Sequence, residues 1–190
     1  MYPKIKPILD FVTALLLLAI FWPILLLVAI AIRLDSRGPA LYKQTRVGQG
    51  AHGFTIFKFR SMKIDTPVLS TAEMQQQTFN PFTRLGPFLR KSNLDELPQL
   101  FNILLGNMSF VGPRPALPSQ TDVNNLRETN GVHALKPGIT GLAQALGRDD
   151  LDTETKVKYD TEYLHRLSFV MDARILVLTL GAIFTARGNK

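Results

Sequence analysis

The chain has 190 residues, a formal net charge of +7, 46% hydrophobic and 19% charged side chains, and no cysteine. That hydrophobic content excludes disorder over most of the length, and the lack of cysteine excludes a disulfide scaffold, a thiolate zinc site and a cysteine nucleophile. The basic excess is local: residues 1–67 carry nine basic and three acidic side chains, while residues 148–190 carry seven of each. Cations beside an apolar segment read as attraction to anionic lipid. A nucleic-acid binder would spread them over a folded face, so nucleic acid is not an expected partner.

Residues 11–32, from Phe11 to Ile32, hold no charge. As a helix they extend about 33 Å, enough for a hydrocarbon core of about 30 Å. The run is too long for a cleaved signal peptide, and no small-residue cleavage site comes after it. Pro23, next to Trp22, falls mid-run, where it removes a backbone hydrogen bond and favours a kink. Both flanks are basic, with Lys4 and Lys6 before the run and Arg33, Arg37, Lys43 and Arg46 after it. A straight span puts one basic flank outside, whereas a helix that enters, bends at Pro23 and returns keeps both inside. The residues alone leave both geometries open.

Beyond this segment, Pro39 to Val47 and Phe54 to Arg60 read as two strands. In the second, Phe57 and Phe59 fall on one face and Lys58 and Arg60 on the other. The intervening Gly48-Gln49-Gly50-Ala51-His52-Gly53 matches G-x-G-x-x-G. A strand comes after it instead of a helix, so it reads as a hairpin turn and not a dinucleotide fingerprint. Residues 66–82 read as a surface loop. Leu97, Leu100, Phe101 and Leu104 form one apolar stripe of a helix that stops near Gly106. Leu151 to Leu167 reads as a helix of mixed charge, and Ile175 to Ala186 as an uncharged run too short to span a membrane.

Four segments could carry chemistry. In Arg90-Lys91-Ser92-Asn93-Leu94-Asp95-Glu96-Leu97-Pro98, Ser92 or Asn93 could cap a helix whose first turn holds Asp95 and Glu96. If Asn93 caps, Pro98 sits too deep, which moves the start toward Pro98. At a bent helix start the two carboxylates can instead converge on one cation. Mg²⁺ accepts one or two carboxylates and completes its shell with water and phosphate, and a carboxylate beside it can attack phosphorus. In Val111-Gly112-Pro113-Arg114-Pro115, two prolines stiffen the backbone around Arg114, a favourable setting for a phosphate clamp or simply a rigid loop. Lys58 and Arg60, with Lys63 beyond, could bind a diphosphate or form a solvated strand face. In Lys136-Pro137-Gly138-Ile139-Thr140-Gly141-Leu142-Ala143-Gln144 the glycines allow close approach to a ligand, though a plain turn accounts for them as well. His52, His133 and His165 lack metal-ligand spacing and read as structural or surface residues.

In combination, the hydrophobic helix with Asp10, the Gly-rich hairpin, Lys58-Phe59-Arg60-Ser61-Met62, Leu94-Asp95-Glu96-Leu97-Pro98-Gln99, Met108 to Pro115 and Lys136 to Gly141 resemble the bacterial sugar transferases, the monotopic phosphoglycosyl transferases. The resemblance covers nearly the whole chain and looks like the minimal form, without the extra N-terminal transmembrane helices of larger relatives. It implies a mostly helical α/β fold: a re-entrant N-terminal helix over 1–37, then a catalytic domain over 38–190 with a small β-hairpin and several amphipathic interfacial helices. The implied reaction moves a sugar-1-phosphate, here expected to be an N-acetylated amino sugar, from a UDP-sugar to polyprenyl (undecaprenyl) phosphate, releasing UMP. UDP-glucose and UDP-galactose are the alternative donors. Carried over residue by residue, Asp95 is the nucleophile that forms a covalent phosphosugar intermediate, Glu96 holds Mg²⁺ with Asp95 close by, and Lys58, Arg60, Arg90 and Arg114 contact phosphate or nucleotide. The implied location is the cytoplasmic face of the bacterial inner membrane, with downstream glycosyltransferases as further partners. One departure stands out: some members break the helix at Ser-Pro, whereas this chain has Trp22-Pro23, so the backbone groups freed by a kink need another partner. A membrane-anchored, non-catalytic nucleotide-binding or scaffold protein is the alternative of a different class.

Overall fold

A computed structural model describes residues 1–67, 79–147 and 151–184. Helix α1 (Tyr2–Asp35) comes first, then strands β1 (Leu41–Val47) and β2 (Gly53–Phe59), α2 (Gly86–Lys91), a 3-10 turn (Leu94–Glu96), α3 (Gln99–Leu104) and β3 (Ser109–Val111). Then come α4 (Thr121–Thr129), β4 (Gly138–Thr140), α5 (Leu142–Leu146), α6 (Thr153–His165) and α7 (Phe169–Phe184). The fold is mostly helical, as expected.

Helix α1 extends the apolar run by about nine residues at its start and three at its end, and helical backbone continues through Pro7 and Pro23. Only 11% of its most apolar 18-residue window is buried, so it is not the core helix of a soluble domain. Its buried residues are Asp10, Ala14, Leu18 and Ile32. The first three recur every four residues and so share one face. Ala14 and Leu18 pack on Ile56 of β2 and on Leu100, Ile103 and Met108. Ile32 packs with Phe59 and Leu89. At its start Tyr2 and Lys6 both donate to Asp172 of α7. Contact with the rest of the chain thus runs along one face of α1, from Tyr2 and Lys6 through Ala14, Leu18 and Leu25 to Ile32, while Ala19, Ile20, Trp22, Pro23 and Ile24 are exposed.

The hairpin is antiparallel, with Leu41 opposite Phe59 and Val47 opposite Gly53. Its connection is a tight turn in which Gly50 and Ala51 both have positive φ, 65° and 61°. Asn102 is fully buried and clips α3 to the free edge of β2, accepting from Phe57 N at 2.9 Å and donating to Thr55 O at 2.6 Å. An amide side chain suits this place because it offers both a donor and an acceptor.

A second, two-stranded sheet is parallel, with Ser109 opposite Gly138 and Val111 opposite Thr140. It corrects the reading of 136–144 as a turn or ligand-approach loop. Its glycines let two backbones meet: a Cβ on Gly138 would lie 2.1 Å from Gly112 N, and one on Gly141 would lie 2.2 Å from Gly112 O. The stretch 66–82 is also not all loop, since Phe82 bridges to Met62; residues 68–78 lie outside the described residues. Helix α6 matches the expected segment closely. Helix α7 begins six residues before the uncharged run, and burial of Met171 and Ile175 joins it to a core with Val111, Leu142 and Tyr163. Phe169, Val170, Val177 and Leu180 remain exposed on it.

Candidate active site

The turn that carries the two carboxylates is built by a chain reversal. Ser92 Oγ donates back to Phe88 O at 2.8 Å and so closes α2 instead of capping the next turn. Asn93 then takes a left-handed conformation (φ 55°), which asparagine tolerates better than most residues. Leu94–Glu96 forms the 3-10 turn, and α3 starts only after Pro98, which stands at its N-cap. Of the two expected starts, a cap at Ser92 or Asn93 is therefore corrected and the start nearer Pro98 is the one observed, because the proline sets the helix start. Asp95 is buried at 7% exposure, while the Glu96 side chain keeps 20%.

Lys58 projects from β2 to this turn, and its Nζ donates to Glu96 Oε1 at 2.7 Å. The adjacent carboxyls titrate in opposite directions. Burial pushes Asp95 up to about 6; Lys58 and Arg90 oppose the shift and Glu96 adds to it. Burial acts on Glu96 too, but Lys58, Arg114 and Arg90 outweigh it and hold Glu96 down at about 2. At neutral pH the site therefore holds one firmly ionised carboxylate and one more basic carboxylate that is still ionised.

Arg114 is the single exposed residue in the otherwise buried run Val111 to Leu117. Arg90, at the end of α2, lies over the Phe82 ring at 5.4 Å. Lys58, Arg90 and Arg114 thus join Asp95 and Glu96 electrostatically. Arg60 does not join them: its guanidinium donates to Arg37 O, to Ser36 O at 2.8 Å and to Ser36 Oγ at 3.0 Å. It satisfies carbonyls at the exit of α1 from a position just beyond the end of β2. Arg46, noted only as a basic flank in the sequence, is drawn in instead. Burial first, and Arg114 second, lower its pKa to about 10. Its Nη1 donates to Pro115 O at 3.1 Å. No spacing within the sequence signals that contact, because 69 residues separate the two partners.

His52 and His165 are exposed, and His133 meets Asn124 O at 3.2 Å. Among the described residues no group of three or more His, Asp or Glu side chains converges as a metal centre. Asp95 and Glu96 are a two-carboxylate, all-oxygen donor set with Glu96 Oε2 not bonded to Lys58. That matches the few protein ligands Mg²⁺ takes when waters and phosphates supply the rest.

The bacterial sugar transferase family model matches residues 1–186, and the chain belongs to that family. It is 41% identical over 181 residues to a UDP-glucose:undecaprenyl-phosphate glucose-1-phosphate transferase of Xanthomonas campestris, covering 92% of this chain and 37% of that protein. It is 41% identical to a protein of the same name from Caulobacter vibrioides, covering 95% of this chain and 70% of that one. A UDP-N-acetylgalactosamine-undecaprenyl-phosphate N-acetylgalactosaminephosphotransferase of Aeromonas hydrophila is 37% identical over all of this chain and 46% of its own length. The chain therefore spans between about a third and two thirds of the length of these relatives.

Proposed function

We propose that the protein transfers a sugar-1-phosphate from a UDP-sugar to polyprenyl phosphate and releases UMP. One observation carries this reading: a buried carboxylate of raised pKa, Asp95, stands beside Glu96, which Lys58 holds ionised, with Arg90 and Arg114 in the same field. An Asp95 carboxylate oxygen attacks the β-phosphorus of the donor. The bond from that phosphorus to the bridging oxygen breaks, and UMP leaves with the electron pair. A phosphate oxygen of the acceptor lipid then attacks the same phosphorus, the bond to Asp95 breaks, and the carboxylate is restored. The raised pKa makes Asp95 a stronger nucleophile while leaving it ionised near pH 7. Lys58, Arg90 and Arg114 neutralise the diphosphate and the charge that grows on UMP. Asp95 and Glu96 would hold Mg²⁺, which when bound acts as a Lewis acid on the pyrophosphate.

The reading includes a membrane. Apolar side chains exposed around α1 and along α7 favour lipid contact. Helix α1 packs on the rest of the chain from Tyr2 to Ile32, on both sides of the exposed Trp22-Pro23 stretch; a straight span of a core about 30 Å thick would have to draw that packed, partly polar part into the bilayer, so the packing favours a re-entrant helix. The catalytic part then lies at the cytoplasmic headgroup level, where polyprenyl phosphate presents its phosphate, and the lipid-linked product passes to downstream glycosyltransferases.

The amino-sugar donor competes here with glucose, which the names of the Xanthomonas and Caulobacter relatives favour. The test is UMP release in nanodiscs with Mg²⁺, undecaprenyl phosphate and a panel of UDP-glucose, UDP-galactose and their N-acetylated amino forms. UMP that requires lipid phosphate, metal and Asp95 is the expected result, and the donor that works names the sugar. Folded, bilayer-held protein that releases no UMP from any donor would favour the non-catalytic anchor.

A further inference from the structure

The loop that presents Arg114 is held by an unusual set of donors. Pro113 and Pro115 have no N–H, so the loop has little with which to bond itself. Its four carbonyls from 113 to 116 are instead each engaged from outside. Pro113 O accepts from Gly138 N at 2.9 Å and Ala116 O from Val47 N at 3.0 Å. Between them, Arg114 O accepts from Arg127 Nη1 at 2.8 Å and Pro115 O from Arg46 Nη1 at 3.1 Å. Two backbone bonds thus pin the ends of the loop, and two guanidinium groups pin its middle.

Of the two guanidiniums, Arg127 on α4 is the more firmly fixed. Its side chain is 8% exposed, and its Nε and Nη2 both donate to Asp160 Oδ2 on α6, at 3.0 and 2.7 Å. Asp160 is 2% exposed and neutralises its charge. A buried ion pair of this kind adds little net stability, because desolvating both charges offsets their attraction. What it does provide is a guanidinium locked in one orientation, with its remaining edge on the carbonyl of the residue that faces the site.

We propose that Arg127, anchored by Asp160, is a positioning residue that aims the Arg114 guanidinium at the anionic donor. The inference rests on the proposed reading of Arg114 as a phosphate contact. Arg127 itself is walled off behind the loop and acts only through the Arg114 backbone. Among the described residues, the side chain of Asp160 bonds to Arg127.

A double-mutant cycle tests this, with the KM for the UDP-sugar and kcat measured separately in nanodiscs. Arg127→Lys keeps the charge toward Asp160 but loses the planar fork that spans the carboxylate and the carbonyl. In the wild-type background it is expected to raise the donor KM about tenfold with a smaller change in kcat. In an Arg114→Ala background it should change KM less than twofold, since the group it aims is gone. Equal effects in both backgrounds would mean that Arg127 supports the fold in general and would overturn the proposal while leaving the role of Arg114 intact. If Arg114→Ala leaves the donor KM unchanged, the phosphate role of Arg114 fails and the proposal fails with it. Should Arg127→Lys not fold, Asp160→Asn, which retains Arg127 and loosens only its anchor, goes through the same cycle with the same two outcomes.

Discussion

Lys58 Nζ lies 2.7 Å from Glu96 Oε1, while Asp95, one residue earlier and 7% exposed, has no cation bonded to it among the described residues. Two adjacent carboxylates thereby acquire different properties from one lysine. Glu96 is neutralised at contact distance. Asp95 feels the same charge only from further off, and burial dominates its titration.

Asp95→Asn should abolish turnover, by roughly 10³-fold or more, because an amide oxygen is a far weaker nucleophile than a carboxylate. Glu96→Gln should retain measurable turnover but need more Mg²⁺. UMP release at several metal concentrations checks both; wild-type rates from Asp95→Asn would remove the covalent mechanism.

The same substitution should stabilise the metal-free protein. The pKa of Asp95 is raised in the fold from 3.8 to about 6, so its ionisation opposes folding. That opposition is absent below about pH 4, grows between pH 4 and 6, and is complete above it. At about 1.4 kcal/mol per pKa unit it amounts to about 2–3 kcal/mol. Melting curves in chelator should therefore show Asp95→Asn equal to wild type near pH 4 and more stable at pH 7. The reverse order would contradict the burial of an unpaired carboxylate.

Lys58→Met should destabilise the protein by about 1–3 kcal/mol, since it leaves Glu96 partly buried without its partner. Adding Glu96→Gln should recover part of that loss. A coupling of at least about 0.5 kcal/mol in the four melting curves is expected; additive losses would indicate that the 2.7 Å pair does not form in solution.

Gly138→Ala should prevent folding or cost well over the roughly 1–3 kcal/mol typical of overpacking, because its methyl would lie 2.1 Å from rigid backbone at Gly112. Gly181→Ala is the control, since among the described residues an added Cβ there would meet nothing within 4 Å. Expression level and melting temperature of the two variants check this.

Because the chain has no cysteine, single cysteines report topology without a background correction. Ile5→Cys and Arg37→Cys, both at exposed positions, should react with an impermeant maleimide from the same side of sealed vesicles. Labelling from opposite sides would establish a straight span.

Much of the site is legible locally. Asp95 and Glu96 are sequence neighbours beside a proline that limits where the helix starts, and Arg114 sits between two prolines; such features persist whatever the rest of the chain does. Arg60 defeats a local reading because strand alternation identifies a face but not what lies opposite each residue along it. Asp160 does leave a trace: it falls between Val157 and Tyr163 on the buried face of α6. A charge at that position requires a partner, but nothing local identifies Arg127.

The apolar α1, the hairpin and the adjacency of Asp95 and Glu96 can be read from the amino-acid order, because periodicity and backbone stereochemistry act over a few residues. Tertiary structure alone decided which cations face those carboxylates, why one pKa rises while its neighbour's falls, and what holds Arg114 in place. Those properties depend on contacts between residues 13 to 69 positions apart and on burial, and both come into being only when the chain packs.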